Sequence, residues 1–536
     1  MTIIKQNQVW LILATLIITS GFVEATDFNI TVYGAKADAS ALNTDAIQKA
    51  IDACAATGGD RVIVPSGVFR SAGIVLKDHV TLFLSEGAVL RAPTKLSDYD
   101  AHNKAFVSAE GATDVGLAGK GMIDGSGAAF MVKDETYNPK KWAGREWMFS
   151  THFAYKALPR PANVKFTRCR NVTIRDVTLT NATSWTLHCS SCDQLDIEGV
   201  TIRNPLHGVN NDGIDINMCR DVRVINCDIS TGDDAICLKC NDAKLKRVSR
   251  NILVADCRIE TECQAFKIGT ETLDGFENIV FRNSYIYNRS SDVGERAAAG
   301  IAIETVDGAV VNGVTISNIE MTNVRAPIFI RLGNRGKGES ASSKKPGALK
   351  NVVIENVNAR HSLMESSITG IPGYAVENVT LRNISIELEG GGQKDWTSAT
   401  VPEVEDVYPA PRMFKVRLPA YGFYCRHANG ITFTNLQFSN LAPDFRPMLV
   451  CEDVGNLTVD GMQAREVAGD EPLVCFKDVH ESKITHCAVP LQTKVFLKTT
   501  GAASRGIVLA DNKMGIGTKV SEIAGGAAQS AVQLKP

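Results

Sequence analysis

The sequence predicts an all-β chain wound into a right-handed, single-stranded parallel β-helix whose N-terminal end is covered by one short helix. Three observations carry this prediction. A strand, turn, strand pattern recurs from Val172 onward, apolar and polar residues alternate inside each copy, and no Pro- or Ser-rich linker breaks the composition between Asp27 and Val489.

The copies read VTIRDVTLTN from Val172, LDIEGVTIRN from Leu195, VRVINCDIST from Val222, ILVADCRIET from Ile252, IVFRNSYIYN from Ile279 and VTISNIEMTN from Val314. They return as VVIENVNARH from Val352, VTLRNISIEL from Val379, ITFTNLQFSN from Ile431 and LTVDGMQARE from Leu457. A spacing of roughly 23 to 30 residues is one coil of a solenoid. Val and Ile at every second position point inward, and the intervening Thr, Arg and Asn point out. Longer intervals, Gly333 to Gly347 and Gly390 to Arg412, are expected as loops inserted on one face.

Taken in chain order, Met1 to Ala25 read as a signal peptide, with Lys5 ahead of an apolar run from Val9 to Ile18 and a small-residue exit at Val23-Glu24-Ala25. That run falls short of the ~20 residues that span a bilayer. A secreted or periplasmic protein without stable membrane insertion is therefore expected. Residues 26–536 are read as a single β-helix domain. Its cap lies at about 43–56, where Asn43-Thr44-Asp45 offer capping side chains and Ala46, Ile47, Ala50, Ile51 and Cys54 form an apolar stripe closed by Gly58-Gly59. Coils that carry chemistry are placed at about 170–335.

The net charge of −2 and the scattered basic residues give no footprint for a nucleic acid, and a monomer is expected. Fourteen cysteines include Cys189-x-x-Cys192 and Cys237-x-x-Cys240. Several, such as Cys169, Cys227 and Cys257, fall inside strand repeats, where a thiol packs as a small apolar group. No metal and no cofactor is expected.

Two neighbouring coils concentrate acid, as Asn210-Asn211-Asp212-Gly213-Ile214-Asp215 and Gly232-Asp233-Asp234-Ala235-Ile236. Stacking brings them side by side, and grouped carboxylates repel and raise at least one pKa. Glycosidic hydrolysis uses such a group, one carboxyl donating to the leaving oxygen while another activates water. Turn hydrogen bonds or calcium binding are the bland alternative. Asp215 is expected to face solvent or fix the turn.

At these residues the sequence resembles glycoside hydrolase family 28, the polygalacturonase and rhamnogalacturonase group, in which Asn-Thr-Asp-Gly is followed by Gly-Asp-Asp; here they are NNDG at Asn210 and GDD at Gly232. RPANVKF from Arg160, SWTLH from Ser184 and LPAYGFYCRH from Leu418 are similar to bacterial members. The resemblance implies an inverting hydrolase of pectic, galacturonate-containing polysaccharide or oligosaccharide, with Asp233 as general acid and Asp212 and Asp234 holding and deprotonating water.

The chain departs from the family in the next two coils. Gln264 stands where the family has His, and Ala302 and Glu304 stand where it has the Arg and Lys that grip substrate carboxylates. These changes argue against a plain endo-polygalacturonase. Gln264 is expected to orient substrate without titrating. Lys267 is placed to restore one cation, by pairing with Glu304 or by meeting a substrate carboxylate, with an uncommitted surface Lys as the alternative. Trp185 is read as stacking on a sugar or packing in the core. Gln264, Lys267, Glu304 and Trp185 thus form the expected substrate-binding set. Arg412 and Arg426-His427 are read as parts of a loop reaching over the groove, which favours removal of terminal sugars. Two other readings stay open: a polysaccharide lyase, and a binding protein that has lost turnover.

Overall fold

The computed structural model describes residues 27–99, 105–242, 244–290, 292–337, 345–465 and 468–535; the expected signal peptide lies outside them. The strands form one continuous 39-stranded sheet that begins at Asp27–Asn29 and ends at Val532–Leu534. Each coil is paired in parallel with the coil before and after it, as in Leu187–Ser190 with Ile214–Asn217 and Ile214–Asn217 with Ile236–Cys240. The architecture is a parallel β-helix. No helix of the described residues is long and apolar enough to cross a membrane.

The alternation read in the sequence produces two kinds of stacked row. Inward, Ile216, Leu238, Ile268, Ile303 and Ile330 lie in register and are fully buried. Phe266 stacks on Phe281 across the core with ring centroids 4.5 Å apart. Outward, Lys165, His188, Asp215, Cys237, Lys267, Ala302 and Phe329 form a row along one sheet, so residues far apart in sequence become neighbours at strand spacing.

Asparagines make the corners. Asn283, Asn318, Asn356, Asn383 and Asn435 all adopt positive φ, which Asn tolerates better than other non-glycine residues. Their amides pass hydrogen bonds up the stack at 2.9–3.0 Å. The cysteines are free thiols, and thirteen of the fourteen are buried.

The helix Thr44–Ala56 covers the first coils with Ile47, Ala50, Ile51 and Cys54. Its start differs from expectation. Asn43 makes no capping bond to the helix; its side chain instead bridges the backbone of Lys36, while Thr44 Oγ1 accepts from Ala72 N–H. The expected insertions fall between strands Ala326–Leu332 and Ala348–Ser362, and between Val376–Leu388 and Phe423–Asn440. A third, residues 125–161, separates Met122–Asp124 from Ala162–Thr167 and holds a small antiparallel hairpin.

The second insertion, residues 389–422, is a strap across the outward face. Val401, Met413, Phe414, Leu418 and Ala420 pack on Ala299, Ala302, Phe329, Tyr424 and Val450, a cluster separate from the solenoid core. Both feet are tied by a buried ionic group. Glu365 accepts from Arg417 (3.1 Å), Arg446 (2.9 Å) and Leu418 N–H (2.8 Å), and Asp444 accepts from Arg446 (2.8 Å) and Gly392 N–H (3.1 Å).

Candidate active site

The two acidic segments meet because successive coils exchange backbone bonds: Gly213 N–H donates to Asp234 O (2.8 Å) and Ala235 N–H to Gln264 O (2.9 Å). The glycines of both motifs are required by close approach. A Cβ on Gly213 would lie 2.4 Å from Ala235 O, and one on Gly232 would lie 2.4 Å from Leu206 O. Asn211 fixes the junction by accepting from the N–H groups of Gly232 (3.0 Å) and Asp233 (3.1 Å).

The three acids occupy three environments. Asp212 is buried, with Oδ2 accepting from Lys239 Nζ at 2.8 Å and Oδ1 bonded to no described residue. The same ammonium lies 2.8 Å from Asp215, so two buried carboxylates share one cation. Burial, opposed by Lys239, pushes Asp212 far above the usual carboxylate range with added repulsion from Asp215, Asp233 and Asp234, and takes Asp215 to about 6 with added repulsion from Asp234 and Asp233. The pair therefore titrates as a unit that retains a proton. Burial also works to raise Asp234, but the ammoniums of Lys267 and Lys239 outweigh it and hold this group below the ordinary range. Lys267 Nζ lies 2.9 Å from Asp234 Oδ2. Asp233 is half-buried; its Oδ1 accepts from Asp234 N–H (2.9 Å) and its Oδ2 from Asn210 Nδ2 (3.4 Å). Oxygens of Asp233 and Asp234 and the thiol of Cys263 all fall within 4.8 Å of one another.

Asp215 does not face solvent. It is fully buried, held by Lys239, a residue that sequence reading did not single out. Period-two counting contained the signal, since Asp215 and Lys239 occupy outward positions of adjacent paired strands. Trp185 lies beside this pair with Lys239 Nζ 3.9 Å from its ring centroid, and its edge meets His188 at 4.8 Å. One function of the indole is therefore to screen the ammonium. His188 is driven down to about 3 by burial and by the nearby Lys165 and Lys239, so it stays neutral.

Lys267 is no surface lysine: it is 1% exposed and committed to Asp234, with Glu304 Oε2 at 4.0 Å and Tyr408 Oη at 3.2 Å. Glu304 is fully buried, neither of its oxygens has a hydrogen-bond partner among the described residues, and burial pushes its pKa up to about 8. It stays protonated at neutral pH beside Lys267. Gln264 is buried, its backbone N–H 3.3 Å from Asp234 Oδ1 and its side-chain oxygen accepting from the Cys263 thiol at 2.7 Å. Ala302 forms part of the seat of the strap. Arg412 leans on Phe153 (4.8 Å) and Ser150, joining the strap to the 125–161 insertion. Arg426 belongs to a strand and not to the loop; it donates to the carbonyls of Val401 and Pro402, both at 2.8 Å, and so pins the strap.

A parallel β-helix that gathers three aspartates where two coils meet, two of them buried and one half-buried, has the kind of carboxyl group on which glycosidic hydrolysis relies. The family comparison agrees: the model for glycosyl hydrolases family 28 matches residues 54–410, and the chain belongs to this family. Among curated relatives, it is 27% identical over 483 residues to an exo-poly-alpha-D-galacturonosidase of Dickeya chrysanthemi, covering 81% of this chain and 74% of that one. It is 29% identical over 316 residues to an endo-polygalacturonase of Pectobacterium carotovorum, covering 55% and 73%. Among solved structures, an exopolygalacturonase from Thermotoga maritima superposes with a TM-score of 0.54 at 21% identity, over 68% of this chain and 87% of that one. The protein is a glycosyl hydrolase.

Proposed function

We propose that the protein hydrolyses glycosidic bonds in pectic, galacturonate-containing polysaccharide or oligosaccharide, with inversion and from a chain end, in a secreted or periplasmic setting. The observation that carries the chemistry is the contact of Lys267 with Asp234, which keeps one acid of the cluster ionised beside the half-buried Asp233. Asp234, kept ionised by Lys267, accepts the proton of the attacking water. Asp212 orients that water with its unbonded Oδ1, and Asp233, the one acid of the three that is not fully buried, protonates the leaving oxygen.

The covering of one side of the groove supports action at a chain end. Toward the N-terminus the outward rows stay accessible at Lys165 and Ser190, whereas toward the C-terminus Phe329, Arg331, Thr369 and Tyr424 are buried. The strap therefore stands where a continuous polymer would pass. Ala302 and Phe329 give its apolar residues a seat, so the position of the family's arginine serves closure here, not carboxylate binding. The lyase alternative is weakened by the commitment of Lys239 and Lys267 to carboxylates, which leaves neither as a free base.

The test is product analysis by mass on homogalacturonan, rhamnogalacturonan and their oligosaccharides, with Asp233→Asn as control. Saturated short products released from the start, and a loss of at least about 100-fold in the folded variant, are expected. Unsaturated products, or near-normal hydrolysis by the variant, would refute the assignment.

A further inference from the structure

Beyond the strap the same outward face opens again into a cavity of about 620 Å³, within the roughly 300–1,000 Å³ of small-molecule sites. Its floor is the outward row Arg426, Glu452, Lys477 and Thr500, flanked by Lys498, and its near wall is the strap, through Glu403. We propose that this cavity is a second saccharide-binding site, taking an acidic oligosaccharide whose carboxylate is held between Lys477 and Lys498.

The charges of the floor are unequally committed. Arg426 is spent on Val401 O, Pro402 O and Glu403 (3.2 Å), and Glu452 accepts from Tyr424 Oη at 3.0 Å. Among the described residues Lys477 is exposed and makes no ion pair, and Lys498 makes one, with Glu522 at 3.6 Å, both partners about a third or more exposed. Such an exposed pair is weak and can be exchanged for a ligand carboxylate. The two lysines extend from adjacent paired strands, Lys498 opposite Cys475 and Lys477 opposite Thr500, so their stems start about 8 Å apart on one face. A carboxylate fits between two flexible ammoniums at that span, and Glu452 and Thr500 can hydrogen-bond the hydroxyls of the ring. Phe476 and Thr499 point into the core between them, which fixes the direction of both lysines. A ligand there cannot be the far end of a chain lying across the acids, because Met413 and Phe414 are packed between the two openings. The site would hold a second polymer segment and raise the local concentration of chain ends.

The choice of a uronate probe rests on the pectic reading above. The test is calorimetric titration of a galacturonate oligomer into the chain carrying Asp233→Asn, with and without Lys477→Ala and Lys498→Ala. Two binding events are expected in the first case. The lysine replacements should abolish one of them or weaken it at least about tenfold, while hydrolysis of a short oligomer by the chain carrying only those replacements stays within about twofold. Identical isotherms, or equal binding of an uncharged galactose oligomer at the lysine-dependent event, overturn the proposal. If no pectic substrate is cleaved but a lysine-dependent event is present, the second site stands and the substrate reading fails; cleavage with a lysine-independent isotherm gives the reverse.

Discussion

Replacing Glu365 by Gln should loosen the strap without disturbing the solenoid. Glu365 is buried, and although burial alone would raise its pKa, Arg417 and Arg446 overcome this and bring it from 4.5 to about 2. A drop of about two and a half units, at 1.36 kcal/mol per unit, is worth about 3 kcal/mol in all, and the closed strap supplies the part due to Arg417 and Leu418 N–H, since Arg446 lies outside 389–422. The sign follows from the depressed folded value: the contribution is complete above the unfolded pKa near 4.5 and is lost as pH falls toward about 2. Glutamine mimics the protonated acid, so the variant lacks the contribution at every pH. Hydrogen exchange read by mass spectrometry on peptides within 389–422 measures the local opening free energy. At pH 7 the variant should open about tenfold more often than the parent or more, and the gap should close as both are taken toward pH 2. A gap that is absent at pH 7, or that does not change with pH, would refute the reasoning.

Glu304→Gln should act in the opposite direction. Because Glu304 is raised to about 8 in the folded chain, the parent loses stability relative to the variant as pH rises from about 4.5 to about 8, and thermal melts across that range should cross over to favour the variant. Lys267→Met should move the acidic limb of the kcat/KM profile to higher pH, since Lys267 is the leading cation holding Asp234 ionised; activity on that limb should fall by about tenfold or more. An unmoved limb in a folded variant would separate Asp234 from the role of base.

The coils were legible in the sequence because each is a local object. Val and Ile at every second position, with Asn at the corners, encode strand, face and turn within about ten residues, as VTISNIEMTN from Val314 shows. That the segments carrying Asp212 and Asp233-Asp234 meet was legible for the same reason: each motif is contiguous, and stacking at one-coil intervals is the only step needed to join them. The 125–161 insertion was missed although the strand pattern lapses there, because an irregular segment has no period to read. What the tertiary structure alone decided is the electrostatic state of the site. Lys239 is shared between Asp212 and Asp215 across a strand pairing, and Lys267 meets Tyr408, 141 residues away, through a strap of no regular pattern. The charge of a buried carboxyl depends on distance in space and on removal from water, and neither quantity is carried by spacing along the chain.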